Sequence, residues 1–147
     1  MIEIKNLEVH ETKNIHTSKA NGNLTVVYRD WDNYLKIPPA MIYITSVHPN
    51  EIKGPHLHKK RNSYFLCIDG KVLFVIKDRN GKYEEIITDS NKPQLIFVPK
   101  ETPSAHLNLS KDNSSILVLA DLAWRPNDNE MDNIEFSDYD WSKWKNK

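Results

Sequence analysis

The sequence predicts an all-β domain, built as a sandwich or a barrel. Short stretches that are apolar, or that alternate between apolar and polar residues, recur along the chain, and this pattern is typical of β-strands. Residues that favour turns separate these stretches, as at Asn21-Gly22 and Asn80-Gly81. Many short strands joined by such turns favour a sandwich or barrel.

Eight strands are predicted in chain order. They cover residues 24–28, 41–47, 64–68, 72–76, 83–88, 95–98, 105–109 and 116–122. The turns after the third and the fourth of these strands, Asp69-Gly70 and Asn80-Gly81, are residue pairs that favour tight β-hairpins. We therefore expect the strands through the middle of the chain to form a meander.

The tail from residue 124 onward has a different composition, since it is rich in Asp, Asn and aromatic residues and contains no alternating stretch. Ser137, followed by Asp138, has the chemistry to cap a short helix laid against the barrel. Trp141 and Trp144 would share one face of that helix. They are interpreted as packing anchors, with the wall of a ligand site as the alternative.

Composition indicates one domain, residues 1–147, and narrows the classes of function. The 20 basic and 20 acidic residues balance, which argues against nucleic acid or an anionic membrane as the partner. Cys67 is the lone cysteine, and the sequence has neither a secretory signal nor a long apolar run, so a cytoplasmic protein is expected. The four glycines of the sequence are scattered and form no phosphate-binding loop, which disfavours kinase, P-loop and Rossmann chemistry.

The most informative motif is the pair His56 and His58, which follows Gly54-Pro55. Residues two apart in a strand project to the same face, so the two imidazoles lie side by side. Such a pair can bind a metal ion, act as acid and base, or lie on the surface without a function. Spacing alone leaves these three interpretations open.

The motif resembles the first motif of the cupin superfamily, which is a glycine, His-x-His, a glutamate five residues later and a further glycine. His56, His58 and Gly70 occupy three of these places, and Ser63 replaces the glutamate. The resemblance implies a double-sheet jelly-roll barrel, with the tail as a short helical or irregular extension.

The second cupin motif resembles the segment that begins at Pro99, with Ser104 at the position of its histidine. Two of the four expected metal ligands are thus serine, a poor ligand at neutral pH, so no metal is expected. His106 lies two residues beyond Ser104. A site formed by His56, His58 and His106, as in a small metal-dependent dioxygenase, is the alternative.

Among cupins, the chain is most similar to metal-independent enzymes that act on nucleotide sugars. These are the dTDP-sugar 3,4-ketoisomerases and, more distantly, the dTDP-4-dehydrorhamnose 3,5-epimerases. The ketoisomerase motif Arg-Gly-x-His-Ala-His-Lys resembles residues 53–59, the Tyr-containing strand before it resembles residues 41–44, and the hairpin after it resembles residues 64–74. The tail resembles the ending of the epimerases, although their catalytic lysine has no clear counterpart.

The resemblance implies that His56 and His58 form the acid/base pair and that Tyr43 is a neighbouring proton donor or hydrogen-bond partner. Chemistry agrees, because moving a carbonyl between adjacent carbons starts with removal of the proton alpha to it. That step requires a base that titrates near neutrality and a donor to the enolate oxygen. It requires no redox cofactor, and none is expected.

The substrate implied is a nucleoside-diphosphate-linked 4-keto-6-deoxyhexose, dTDP-linked by preference, used in cell-surface polysaccharide synthesis. Lys53 stands where the family motif has arginine and, with Arg125, is expected to hold the phosphates. Ser63, Ser104 and His106 are expected to contact substrate. A homodimer, in which an N-terminal strand pairs with the partner's sheet, is expected from the resemblance. A sugar-binding cupin without turnover is the non-enzymatic alternative.

Overall fold

Two five-stranded antiparallel sheets and a separate hairpin form the fold in the computed structural model, which describes residues 1–145. The strands are β1 Glu3–Asn6, β2 Val9–Lys13, β3 Ala20–Thr25, β4 Met41–Val47, β5 Ile52–His58, β6 Ser63–Asp69, β7 Lys71–Lys77, β8 Tyr83–Asp89, β9 Gln94–Val98, β10 Ser104–Asn108, β11 Ser114–Ala120 and β12 Met131–Asn133. The first sheet has the order β1-β9-β6-β11-β4, and the second has the order β12-β5-β10-β7-β8. Strands β2 and β3 pair only with each other.

The core lies between the two sheets. It is formed by alternate residues of both, among them Phe65 on β6, Phe74 and Ile76 on β7, and Val118 on β11. Burial of these apolar side chains is the main term that holds the sheets face to face. The all-β, double-sheet architecture predicted from the sequence is confirmed.

Both outer faces of the barrel are also covered, which explains why several strands are apolar at nearly every position. On the first sheet, Tyr64 and Leu66 pack against the segment that contains Tyr34 and Leu35. On the second sheet, Leu73 and its neighbours pack against residues of the tail. The tail therefore belongs to the domain rather than extending from it.

Trp141 and Trp144 pack on the outer face of the second sheet, as predicted for packing anchors. The helix predicted to start at Ser137 is absent from the described residues: Trp141–Lys143 forms a single 3₁₀ turn, with Asp140 as its N-cap. The preceding residues are held instead by side-chain bonds to β8, where Tyr83 donates its hydroxyl to Asp138 at 2.5 Å. These bonds hold the residues before the 3₁₀ turn against the sheet in a non-helical conformation.

The expected meander is wrong at its first turn. Asn80-Gly81 does join the paired strands β7 and β8, but Asp69-Gly70 carries the chain from β6 in the first sheet to β7 in the second. β6 pairs with β9 and β11 instead. This pairing buries its apolar residues in the middle of the first sheet. Gly70 makes this crossing with φ at +85°, and a Cβ there would lie 2.7 Å from Ser110 Oγ.

Each of the eight predicted strands has a counterpart, with shifts at the ends. The largest shift is at residues 24–28, where β3 runs over Ala20–Thr25. β1, β2 and β12 were not predicted, and β5 was recognised only through its histidines. No helix in the described part of the chain is long and apolar enough to cross a membrane.

Candidate active site

A cavity of about 880 Å³ opens between β4 of the first sheet and β5 of the second. Six of the residues singled out by the sequence line it, namely Tyr43, Lys53, His56, His58, Ser104 and His106. Two others do not line it, Ser63 and Arg125. A volume of this size falls within the range of small-molecule sites in proteins.

Strand β5 is paired with a neighbouring strand on each side, and this pairing fixes the position of the histidine pair. β10 pairs with it on one side, where Ser104 lies opposite His56, and β12 pairs with it on the other, where Met131 lies opposite His58. Gly54 permits the approach to β10: its φ is +86°, and a Cβ would lie 2.9 Å from the Ser104 carbonyl oxygen. The backbones of β5 and β10 therefore approach each other closely just before the histidine motif.

His58 is hydrogen-bonded to a carboxylate that sequence reasoning missed. Its Nδ1 lies 2.6 Å from Oε1 of Glu130, a residue that is only 4% exposed. The other oxygen of Glu130 accepts from the backbone N–H groups of Lys60, at 2.9 Å, and Arg61, at 3.1 Å. Burial alone would raise the pKa of the Glu130 carboxyl, but these hydrogen bonds outweigh it and leave the pKa below the usual value.

An ionised carboxylate only accepts hydrogen bonds, so Nδ1 of His58 carries a proton and its Nε2 carries a lone pair when the ring is neutral. His56 is oriented in the same sense, since its Nδ1 lies 3.0 Å from Oδ1 of Asn133. Burial lowers the pKa of His56, with His58 and Lys53 adding to the effect against the bond to Asn133. His56 is thus neutral at pH 7, whereas an imidazolium at His58 would face a carboxylate.

Tyr43, on β4, supplies a phenol to the cavity. Its hydroxyl lies 3.5 Å from Nη1 of Arg61. Burial raises the pKa of Tyr43, while the Arg61 cation and the contact with it act in the opposite direction. The phenol is therefore protonated at neutral pH and able to donate.

His106 lies on β10 among aromatic rings, with its ring centroid 5.3 Å from that of Phe74. Burial lowers the pKa of His106 to about 3, and Lys53 and His56 contribute to the shift. Its Nε2 is buried and has no hydrogen-bond partner among the described residues. Because an unpaired buried polar atom is costly, this neutral imidazole is suited to bind a polar group of a ligand.

Lys53 reaches from β5 across to β4, where its Nζ donates to Thr45 Oγ1 at 2.5 Å. It places a cation in the wall of the cavity. Ser104 lines the same wall next to the bulge in β10.

The structure places Ser63 and Arg125 elsewhere. Ser63 is buried at the start of β6, paired with Val98 and Ala120, so a whole strand separates it from β4. Arg125 is exposed at the start of a turn, and its backbone N–H donates to Asp128 at 3.1 Å. That turn presents the residues around it to the cavity, and Arg125 is not among them.

Three residues of the site were missed by sequence reasoning: Arg61 and Glu130, which line the cavity, and Asn133, which is bonded to His56. Glu130 and Asn133 belong to the tail, in which no strand was expected. No local spacing relates Glu130 to His58, so only the pairing of β12 with β5 reveals the contact.

The alternative site of three histidines gains no support from the arrangement of side chains. Within residues 1–145, no group of three or more His, Cys, Asp or Glu side chains is placed to hold a metal ion.

Fold and site together define a double-sheet barrel whose interior holds a histidine pair, a carboxylate and a phenol. The chain matches the family described as FdtA: WxcM-like, C-terminal, over residues 5–141. Because the match covers most of the chain, the protein belongs to that family. A comparison with curated protein sequences gives no match.

Solved structures share the fold. The 3,4-ketoisomerase from Helicobacter canadensis is 20% identical, with a TM-score of 0.72 over 89% of each chain. ChmJ, a 3'-monoepimerase from Streptomyces bikiniensis solved in complex with dTDP-quinovose, is 16% identical, with a TM-score of 0.74 over 90% of this chain and 69% of that one.

CapF, a capsular polysaccharide assembling protein from Staphylococcus aureus, is 19% identical, with a TM-score of 0.63 over 67% of this chain. The chain spans only 29% of CapF. These structures confirm the fold that the resemblance implied.

Proposed function

We propose that the protein is an isomerase or epimerase that acts on a nucleoside-diphosphate-linked 4-keto-6-deoxyhexose, in the manner of a 3,4-ketoisomerase. Family membership supports this proposal, as do the names of the similar structures, which include a 3,4-ketoisomerase and a 3'-monoepimerase. The complex of ChmJ with dTDP-quinovose favours a dTDP-linked substrate. The likeness to CapF favours a place in cell-surface polysaccharide synthesis.

The observation that carries the proposal is the 2.6 Å contact between His58 and Glu130 inside a cavity that also holds Tyr43. Isomerisation beside a carbonyl requires a base, and that base becomes a cation. A carboxylate fixed on the far side of the imidazole orients the base and stabilises the cation formed. A phenol in the same cavity can donate to the oxygen that becomes negative.

In the proposed reaction, Nε2 of His58 takes the proton from the carbon next to the carbonyl. The electron pair of that C–H bond forms the carbon–carbon double bond of an enediol, and Tyr43 protonates the former carbonyl oxygen. In a ketoisomerisation the Tyr43 phenolate then takes the proton of the neighbouring hydroxyl, which becomes the new carbonyl, and the His58 imidazolium gives a proton to the former carbonyl carbon, so that both groups are restored. Net change is a shift of two hydrogens, with no oxidant or reductant.

The remaining groups of the cavity suit the rest of such a substrate. Lys53 supplies positive charge for the diphosphate, and Nε2 of His106 can hydrogen-bond a sugar hydroxyl. Trp124 is 62% exposed at the rim of the cavity and offers an aromatic face on which a nucleobase can stack.

We also propose that the protein is a homodimer in a reducing cytoplasm. Ile42 and Ile44 are exposed on β4, which forms an edge of the first sheet. The β2–β3 hairpin pairs with neither sheet in the described chain and is available to a partner. Cys67 is free and buried, which is compatible with a reducing compartment. Light scattering on the purified protein measures the dimer directly.

The decisive experiment is incubation with dTDP-4-keto-6-deoxyglucose in heavy water, followed by NMR. The proposal predicts a changed sugar, with deuterium at the former carbonyl carbon if the reaction is a ketoisomerisation and at the carbon next to the carbonyl if it is an epimerisation. His58→Asn should abolish exchange and His56→Asn should reduce it strongly, whereas His48→Asn, at an exposed site bonded to Asn113, should leave it unchanged. Exchange at the wild-type rate in both site variants would remove the pair from the mechanism.

Two outcomes would favour the alternatives. Binding of the sugar nucleotide with neither exchange nor turnover, across a panel of 4-keto sugars, would make the protein a sugar-binding cupin. Stoichiometric Fe, Mn, Ni or Zn in protein purified without chelator, lost on His106→Ala, would instead favour the metal-dependent enzyme.

A further inference from the structure

Arg61 lies in the turn between β5 and β6, buried to all but 7% of its surface. Its guanidinium lies between two groups of the cavity. Nη1 is 3.5 Å from the Tyr43 hydroxyl, and Nε is 3.7 Å from Oε1 of Glu130. None of the roles described so far uses this residue.

The position of Arg61 is costly. Nε is buried and has no hydrogen-bond partner among the described residues, and a buried cation loses much of its hydration. Its anionic neighbour, Glu130, is already supplied with donors by His58 and by the backbone of Lys60. The attraction to Glu130 alone therefore does not explain why the Arg61 guanidinium is buried. Its other polar contact is with the Tyr43 hydroxyl.

We propose that Arg61 is a positioning residue that prepares Tyr43 to release its proton. When Tyr43 donates to the substrate oxygen it becomes a phenolate, and the guanidinium at 3.5 Å stabilises that anion. The proton moves from the phenol to the substrate, and no other bond of the protein is formed or broken. Arg61 then lies between two anions, the phenolate and Glu130, while the imidazolium of His58 faces Glu130 from the other side.

Other charged and titratable groups also face the cavity that contains Tyr43, and the test must separate them. They are Lys53, His56 and His58 on β5, His106 on β10, and Asp128 and Glu130 in the loop before β12. Lys53 is the other cation, and it is bonded to Thr45 two residues from Tyr43. Of the two cations, Arg61 is the one whose contact with the Tyr43 hydroxyl is observed.

The assignment of the reaction rests on the proposed function, but the relationship between Arg61 and Tyr43 does not, so it can be tested without substrate. Replacing tyrosine by 3,5-difluorotyrosine brings phenol ionisation into the pH range where proteins are stable. Fluorine NMR then follows each phenol, and the Tyr43 resonance is the one that disappears in Tyr43→Phe. The measurement reads the ionisation midpoint of Tyr43 alone.

In Arg61→Met the midpoint of Tyr43 should rise by about one to three pH units, the usual effect of removing an adjacent opposite charge. In Arg61→Lys, which keeps the charge, the rise should be smaller. Arg79→Met, at an exposed cation on the β7–β8 turn, should leave the midpoint unchanged. An unchanged midpoint in Arg61→Met would overturn the inference, whatever happens to activity.

Two further measurements distinguish the proposed role of Arg61 from a purely structural one. The resonances of Tyr28 and Tyr139 serve as internal controls and should keep their midpoints in Arg61→Met. In activity assays, kcat should fall with little change in KM, and adding Arg61→Met to Tyr43→Phe should cost little more, because the two residues act as a unit. Fully multiplicative losses would contradict the proposal.

The two proposals fail in different ways. A shifted Tyr43 midpoint without turnover of any sugar nucleotide would support the coupling and contradict the assigned reaction. Turnover with an unshifted midpoint would do the reverse. If Arg61→Met does not fold, Arg61→Gln compared with Arg61→Lys gives the same contrast, since both keep a polar tip and only one keeps the charge.

Discussion

The Nδ1 atom of His58 and the Oε1 atom of Glu130 lie 2.6 Å apart, although 72 positions separate the two residues in the sequence. The same carboxylate accepts two backbone N–H groups from the turn after β5. Glu130 therefore joins the loop before β12 to the end of the histidine strand. A single side chain orients the proposed base and also closes one end of the cavity.

Glu130→Gln tests the orienting role. Glutamine keeps an oxygen that can accept from the Lys60 and Arg61 backbone, but it cannot provide a carboxylate for the His58 imidazolium. We expect kcat to fall by about 10² or more, the usual size of a lost acid–base contribution, with a small change in KM. Deuterium exchange and steady-state kinetics measure both.

Glu135→Gln, at an exposed position in the tail, is the matched control and should keep wild-type kcat. Full activity in Glu130→Gln would show that His58 works without its carboxylate.

His106 predicts a pH dependence of stability. Its pKa is about 3 in the folded protein and about 6.5 in an ordinary environment, so below pH 6.5 the unfolded chain binds a proton that the folded chain does not. Stability should therefore fall as the pH decreases from 6.5 towards 3, by about 1.4 kcal/mol per pH unit from this group.

Urea unfolding of wild type and His106→Leu, from about pH 7 to about pH 4, isolates that contribution. The variant should show a shallower loss of unfolding free energy as the pH falls. His48→Leu, at an exposed histidine, should retain the wild-type slope. Parallel curves for wild type and His106→Leu would mean that His106 is protonated in the fold.

Gly54→Ala tests the close approach of β5 to β10. The new Cβ would meet the Ser104 carbonyl oxygen at 2.9 Å, and the φ of +86° disfavours any side chain. Gly81 has a similar φ of +80° but no atom nearer than 3.8 Å, so Gly81→Ala isolates the backbone cost of about 1–2 kcal/mol.

We expect Gly54→Ala to lose about 1–3 kcal/mol more unfolding free energy than Gly81→Ala, because the strands must move apart. Denaturant unfolding measures both variants. Equal losses would mean that β10 yields at Ser104 without cost.

Trp124→Ala tests the nucleobase platform. Loss of the exposed indole at the cavity rim should weaken dTDP binding by roughly 1–2 kcal/mol, about 5- to 30-fold. Isothermal titration of dTDP measures the affinity directly.

Trp31 is the matched control, because it is 71% exposed and its ring stacks under Arg29, at 3.9 Å, away from the cavity. Trp31→Ala should bind dTDP as wild type does. Equal affinity in the two variants would place the base elsewhere.

The central strands were predictable because local pattern and tertiary environment agree. Residues 72–76 and 95–98 are apolar throughout, and they lie in β7 and β9. The exposed strand β2, with the sequence VHETK, is polar at most positions. It therefore lacks the apolar pattern by which a strand is predicted from sequence. The crossing at Gly70 was missed because Asp-Gly favours a hairpin locally, whereas the choice of sheet is a property of the whole core.

The histidine pair was predictable for a similar reason, since its members are two residues apart. The partners of the pair were not. Glu130 and Asn133 lie in a segment whose composition resembles a solvated loop, and they reach the histidines only because three residues of β12 extend the second sheet. Arg61 was overlooked because three consecutive cations, Lys59, Lys60 and Arg61, resemble an exposed basic rim, yet one of them is buried.

The late position of β12 in the chain has a consequence for how the protein is made. At a synthesis rate of about 5–20 residues per second, the 72 positions between His58 and Glu130 take roughly 4 to 14 s to translate. During that interval a nascent chain carries both histidines but neither of their acceptors. The candidate site is thus complete only once β12 has been added to the edge of the second sheet.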